Sequence, residues 1–228
     1  MQLDHRCPWV KFDAMNAISK TVGVVLAGGQ SRRMRGGDKA LLAFGHGALM
    51  GNAIQKLKPQ VSEVVINANG DAARFAQFGM PVVADTIGVG AGPLAGILAG
   101  MRWAAANRDG ITFIATSACD TPFFPGDLVE RFIAQIGEND RGVAIAASRG
   151  CTHQAFGLWP VALADDLEDA LASGARKVLD WAQRHGAVEV CFDNIEAGGQ
   201  AIDPFFNANT PEELAAANAF LERLEGSS

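Results

Sequence analysis

Six small or apolar residues, Val22-Gly23-Val24-Val25-Leu26-Ala27, run without a break into Gly28-Gly29, and four cations, Arg32, Arg33, Arg35 and Lys39, follow within eight residues. A strand without polar alternation is one buried on both faces, which points to a central strand covered by helices. Paired glycines after such a strand let main-chain N–H groups approach an anion with no Cβ in the way, and they accept backbone angles that other residues resist. Open α/β sheets take ligands outside the carboxyl ends of their strands, so this junction marks a binding edge. On its residues alone the segment has two readings, a phosphate loop or a Gly-rich turn followed by solvated arginines.

The alternation continues downstream. Further strands are predicted over 63–67, 81–84, 111–116 and 142–147, with helical patterns over 49–57, 72–78, 94–106 and 126–136. This order predicts a single-domain, doubly wound, mostly parallel Rossmann-like α/β sheet with helices on both faces and right-handed crossovers. The last third is less regular: a strand over 153–159, helices over 161–171 and 178–185, and a strand over 188–192. The final helix opens at Thr210-Pro211-Glu212-Glu213, where Thr210 can cap, Pro211 suits the first helical position and Glu213 can close a capping box. No linker or repeat divides residues 21–228, which read as one domain; residues 1–20 lack a clear period and read as an N-terminal extension, non-native or disordered, with Met15 an alternative start.

Charge and cysteine usage exclude several classes. A net charge of −6 argues against a general nucleic-acid or acidic-membrane binder, while leaving room for a small anion held by local cations. Cys7, Cys119, Cys151 and Cys191 stand apart with no C-x-x-C pair, so zinc and disulfide frameworks are not suggested and reduced thiols are expected. With no signal-peptide pattern and no 18-residue apolar run, a cytoplasmic protein is expected. The glycine segment is not a P-loop, because Lys39 comes ten residues after Gly29 and is followed by Ala40. Nor is it a dinucleotide-binding fingerprint, because Gln30 and Arg33 fill positions that would need glycine.

Other residues at strand ends carry candidate chemistry. Asp120 follows an apolar strand, and a hard carboxylate there suits Mg2+, which completes its shell with water and phosphate oxygens; a turn aspartate before Thr121-Pro122 is the structural alternative. Asn67 can read a base or ribose, or simply end its strand. Asp85 can accept hydrogen bonds from the N1–H and 2-amino group of guanine, which cytosine does not offer, or be a solvated turn residue. Gly92-Pro93-Leu94-Ala95-Gly96 can shape a close-approach loop or a plain helix start. His153 is isolated, and Cys119, without an adjacent base, reads as a packed thiol rather than a nucleophile.

The run Leu26-Ala27-Gly28-Gly29-x-Ser31-x-Arg33-Met34 and Gly36-Gly37-Asp38-Lys39 resembles the signature of the molybdenum cofactor guanylyltransferases, within the nucleotide-diphospho-sugar transferase-like superfamily. The resemblance continues through Val65 to Asn69, Val83 to Asp85, Gly92 to Gly96, Cys119 to Phe123 and Asn207 to Leu214, and spans about residues 21–224. It implies transfer of GMP from GTP to the terminal phosphate of molybdopterin with release of pyrophosphate. It also implies that Leu26, Ala27, Gly28, Gly29, Lys39, Asn67, Asp85 and Asp120 bind the nucleotide and that Asp120 binds Mg2+. For that reaction, electrostatics points to Arg33, Lys39 and Asp120 as the catalytic groups, offsetting phosphate charge directly or through the metal. Asn207 is a further candidate for metal or acceptor, and His153 for the pterin, while Asn209 and Thr210 read as structural. Partners would be GTP, molybdopterin or the molybdenum cofactor, and cofactor-inserting or acceptor molybdoenzymes. A cytidylyltransferase on the same cofactor, a sugar-phosphate nucleotidyltransferase and a non-catalytic nucleotide-binding or cofactor-chaperone module stand as alternatives. Arg35 is an insertion relative to the family pattern, Phe124-Pro125 vary it after Asp120, and residues 1–20 have no counterpart in it.

Overall fold

The computed structural model describes residues 14–27, 38–87 and 92–226. A short helix, α1 (Ala14–Ser19), leads into β1 (Thr21–Leu26), every residue of which is buried. The helix lies within the expected extension, and its Ala17 and Ile18 pack on the core. A 3-10 turn over Lys39–Leu41 and a small hairpin, β2 (Ala43–Phe44) with β3 (Gly47–Ala48), bring the chain to α2 (Leu49–Leu57), whose Met50, Ala53, Ile54 and Leu57 form a buried stripe. Next come β4 (Glu63–Asn67), a 3-10 segment over Ala72–Phe78, and β5 (Val82–Val83). The 72–78 stretch reads as helical in sequence, but only Phe75 is buried on it, so no apolar stripe holds an α-helix there.

α3 (Pro93–Asn107) starts at Pro93, where a missing N–H costs nothing, and presents nine buried residues from Leu94 to Ala104. β6 (Phe113–Ala118), α4 (Leu128–Ile136), β7 (Ala144–Ser148) and β8 (Cys151–Pro160) follow. The chain closes with α5 (Ala164–Ala172), α6 (Val178–Arg184), β9 (Val188–Cys191), the hairpin β10 (Ile195–Ala197) and β11 (Gln200–Ile202), and α7 (Pro211–Gly226). The capping box at α7 forms as predicted. Glu213 N donates to Thr210 Oγ1 at 3.2 Å, and Thr210 N donates to Glu213 Oε2 at 2.9 Å.

The central sheet has seven strands in the order β5-β4-β1-β6-β8-β7-β9. β1 pairs in parallel with β4 and β6, as do β4 with β5 and β7 with β9, whereas β8 runs antiparallel between β6 and β7. The insertion of β8 has a local cause: Arg149 and Gly150 both have positive φ, 49° and 76°, which closes a two-residue primed turn and folds β8 straight back on β7. α2 and α4 cover one face of the sheet, and α3, α5 and α6 the other. A third cluster, with Phe123 between Phe44 and Phe220, fixes α7 and the β2–β3 hairpin beside the carboxyl edge. No helix among the described residues is long and apolar enough to cross a membrane.

Candidate active site

The parallel register puts three strand ends together. Leu26 lies opposite Asn67 on one side and Ala118 on the other. Beyond the paired residues, Ala27 N donates to Asn67 O at 2.9 Å and Cys119 N donates to Leu26 O at 3.2 Å. Leu26, Ala27, Asn67 and Asp120 therefore share one edge because β1 is central and its neighbours run the same way. Gly28, Gly29, Arg33 and Arg35 lie outside the described residues.

Lys39 reaches this edge from the far end of the glycine segment. Asp38 caps its 3-10 turn by accepting from Ala40 N at 3.1 Å. Lys39 Nζ then donates to Asp120 Oδ2 at 2.5 Å and to Asn209 Oδ1 at 2.6 Å. Both partners of the ion pair are largely covered, with 14% of the Lys39 side chain and 25% of the Asp120 side chain exposed. The segment carrying Asn209 is itself fixed to the Asp120 loop: Ala208 N donates to Asp120 O at 2.9 Å, and Thr121 Oγ1 donates to Asn207 Oδ1 at 2.5 Å. Asn207 thus faces Thr121 in this structure, and its neighbour Asn209, read from sequence as structural, is the one that touches Lys39. Only its position two residues after Asn207 and just before the capping box hinted at this.

A second group sits on the β4–β5 side. Asn67 is buried, and its Nδ2 donates to Val83 O at 3.2 Å and to Asp85 Oδ1 at 2.9 Å. Asn69 Nδ2 donates to Asp85 Oδ2 at 2.7 Å, and Asp85 N donates back to Asn69 Oδ1 at 2.9 Å. α3 comes in close at this point: a Cβ on Gly96 would stand 2.4 Å from Asn67 Oδ1, so glycine is what lets the helix and the amide coexist. Arg74 joins the two groups. It donates to Asn69 O at 2.8 Å and pairs with Asp38 Oδ2 at 3.1 Å.

Cys119 is the packed thiol that its sequence setting predicts, and His153 is held among aromatic and polar neighbours. Burial pushes the Cys119 thiol far above its ordinary range, so it stays protonated and packed. His153 lies at the β7–β8 end of the same edge, stacked on Phe205 with ring centroids 4.4 Å apart and 2.7 Å from Ser148 Oγ, which in turn donates to Asp203. Burial lowers its pKa, against the pull of Asp203. What the edge offers is a lysine and a carboxylate in contact, next to an amide-clamped second carboxylate. That is an arrangement for gripping a charged, hydrogen-bonding ligand, and among the described residues it holds no nucleophile–base pair.

The family model described as the MobA-like NTP transferase domain matches residues 23–188. The chain belongs to this family. It is 45% identical over 203 residues to a molybdenum cofactor guanylyltransferase of Mesorhizobium japonicum, covering 89% of this chain and 96% of that protein. It is 46% identical to one of Cereibacter sphaeroides, covering 88% and 97%. The crystal structure of molybdopterin-guanine dinucleotide biosynthesis protein A from Archaeoglobus fulgidus superposes with a TM-score of 0.65 at 21% identity, over 89% of this chain and 98% of that one. A 4-diphosphocytidyl-2C-methyl-D-erythritol synthase from Anaerococcus prevotii superposes with a TM-score of 0.67 at 12% identity, over 92% and 99%. The last two share the fold of this MobA-like chain; the first two align with it over nearly nine-tenths of its length at 45% and 46% identity.

Proposed function

We propose that this chain transfers the GMP group of GTP to the terminal phosphate of molybdopterin or the molybdenum cofactor, forming the guanine dinucleotide form and releasing pyrophosphate. The observation that carries the reading is the contact between Lys39 and Asp120 at the carboxyl edge, in a chain 45% identical to a molybdenum cofactor guanylyltransferase. We take residues 21–228 as the catalytic domain and the cytoplasm as its compartment, where the free thiols Cys119, Cys151 and Cys191 are at home. The product would pass to cofactor-inserting or acceptor molybdoenzymes.

Asp120 fits Mg2+ by chemistry. It offers a hard, partly exposed carboxylate, and no group of three or more His, Cys, Asp or Glu among the described residues competes as a closed protein cage. Mg2+ normally keeps open positions for phosphate oxygens and water, so one carboxylate suffices. When bound, it would supply positive charge to the phosphates. The remaining work falls to the chain. An acceptor phosphate oxygen forms the new bond to the α-phosphorus, and the bond to the β-phosphate's bridging oxygen breaks, its electron pair leaving with pyrophosphate. Lys39, already directed at this edge, stabilises the charge that collects on the leaving group, with Arg33 and the Gly28 and Gly29 amides assigned the same task. An anionic nucleophile needs no strong general base. Asn67 and Asp85 hold the guanosine.

Incubation with GTP, Mg2+ and molybdopterin, followed by mass analysis, should yield the guanylylated pterin and pyrophosphate. Clear preference for CTP would overturn the reading.

A further inference from the structure

The Asp85 carboxylate is held more firmly than a strand-end aspartate needs to be. Asn67 Nδ2 donates to one oxygen and Asn69 Nδ2 to the other, while Asn69 Oδ1 accepts from the Asp85 main chain. Asn67 is fixed by burial and by its bond to Val83 O. Asn69 is exposed, but Arg74 holds its carbonyl and ties it to Asp38. Each carboxylate oxygen therefore spends one acceptor site on an amide and keeps another. Rotation of the carboxylate about its own bond is blocked from both sides.

We propose that Asn69 is a specificity-determining positioning residue: it fixes the plane of the Asp85 carboxylate so that both oxygens together meet the paired N1–H and 2-amino donors of a guanine. This rests on the guanylyl reading above. Guanine presents two adjacent donors to a carboxylate. Hypoxanthine presents only N1–H, and cytosine and adenine each place an acceptor in the row. A free-swinging carboxylate must be ordered before it meets both donors at once, which offsets the gain from the second; a clamped one keeps that gain in full. Asn69 itself need not touch the base.

The test is calorimetric binding of GTP, ITP and CTP to the full chain, wild type against Asn69→Ala and Asn69→Asp. Wild type is expected to favour GTP over ITP by about tenfold, the worth of one charge-assisted hydrogen bond. Asn69→Ala should bring that ratio close to one, chiefly by weakening GTP. Asn69→Asp, which sets a second carboxylate against Asp85, should do so at least as strongly. An unchanged GTP-to-ITP ratio in Asn69→Ala, equal weakening of both nucleotides, or a wild type that does not distinguish them overturns the role of Asn69 and leaves the guanylyl reading standing. A wild type that binds CTP as tightly as GTP overturns the reading itself.

Discussion

Lys39 Nζ lies 2.5 Å from Asp120 Oδ2, two residues 81 positions apart that the fold joins across the carboxyl ends of β1 and β6. The contact places a cation and a metal-fitting carboxylate within one phosphate group's reach of each other. Asp120→Ala is expected to lower GTP-dependent pyrophosphate release by about 10²–10³-fold, through loss of the Mg2+ it is proposed to hold against the developing negative charge. It should also abolish the response to added Mg2+. Lys39→Ala should lower turnover comparably while keeping that response. A pyrophosphate assay across a magnesium titration separates the two, and full magnesium-dependent turnover in Asp120→Ala would remove Asp120 from the proposed metal site.

The approach of α3 to the sheet gives a second expectation. A Cβ on Gly96 would stand 2.4 Å from Asn67 Oδ1 and 2.8 Å from Leu26 Cδ2. Gly96→Ala should therefore cost about 1–3 kcal/mol, as overpacking of a tight core does, and weaken GTP binding by displacing Asn67. Gly100→Ala is the control. Its Cβ meets Val24 Cγ2 at 2.7 Å, away from Asn67, so it should lose stability but retain nucleotide affinity. Urea melts and binding titrations on both variants check the split.

Much of this edge was legible because its residues follow strands whose apolar character is unmistakable. Val22 to Leu26 could only be central, and a central parallel strand brings its neighbours' ends to its own, which put Asn67 and Asp120 beside Leu26. The place of β8 was less legible. It depends on Arg149, a non-glycine residue at positive φ, and an arginine gives no strong turn signal. Asn209 and Asn69 were hidden for another reason: both are exposed loop amides, and only distances reveal that one touches Lys39 and the other Asp85.

Acid should weaken the α5–α6 layer through Asp166. Trp181 Nε1 and His185 Nε2 each lie 2.8 Å from its Oδ1, and the Trp181 hydrogen bond, ahead of His185, holds the carboxyl below its ordinary value of 3.8. A depressed folded pKa stabilises the protein above the unfolded value, and that gain is lost as pH falls through the folded one. The stability difference between wild type and Asp166→Asn should thus be full well above the ordinary carboxyl value of 3.8 and shrink as pH falls below it, through the lowered folded pKa. Urea midpoints taken at fixed ionic strength test this, and a difference that grows on acidification would contradict it.

The cap of α7 is expected to matter for catalysis as well as for stability. Glu213 Oε2 accepts from both Asn209 N, at 2.8 Å, and Thr210 N, at 2.9 Å, and Asn209 is the residue whose side chain shares the Lys39 ammonium with Asp120. Glu213→Ala frees both amides, so it should cost about 1 kcal/mol, as loss of a helix cap does. It should also let Asn209 drift and leave Lys39 held by Asp120 alone, raising KM for GTP. Glu213→Gln keeps an acceptor oxygen at the same reach and can still close the box, so it should restore most of both losses. If Glu213→Ala lowers the melting temperature while KM stays fixed, the cap serves only the helix, and Asn209 is held in place by the Ala208-to-Asp120 hydrogen bond instead.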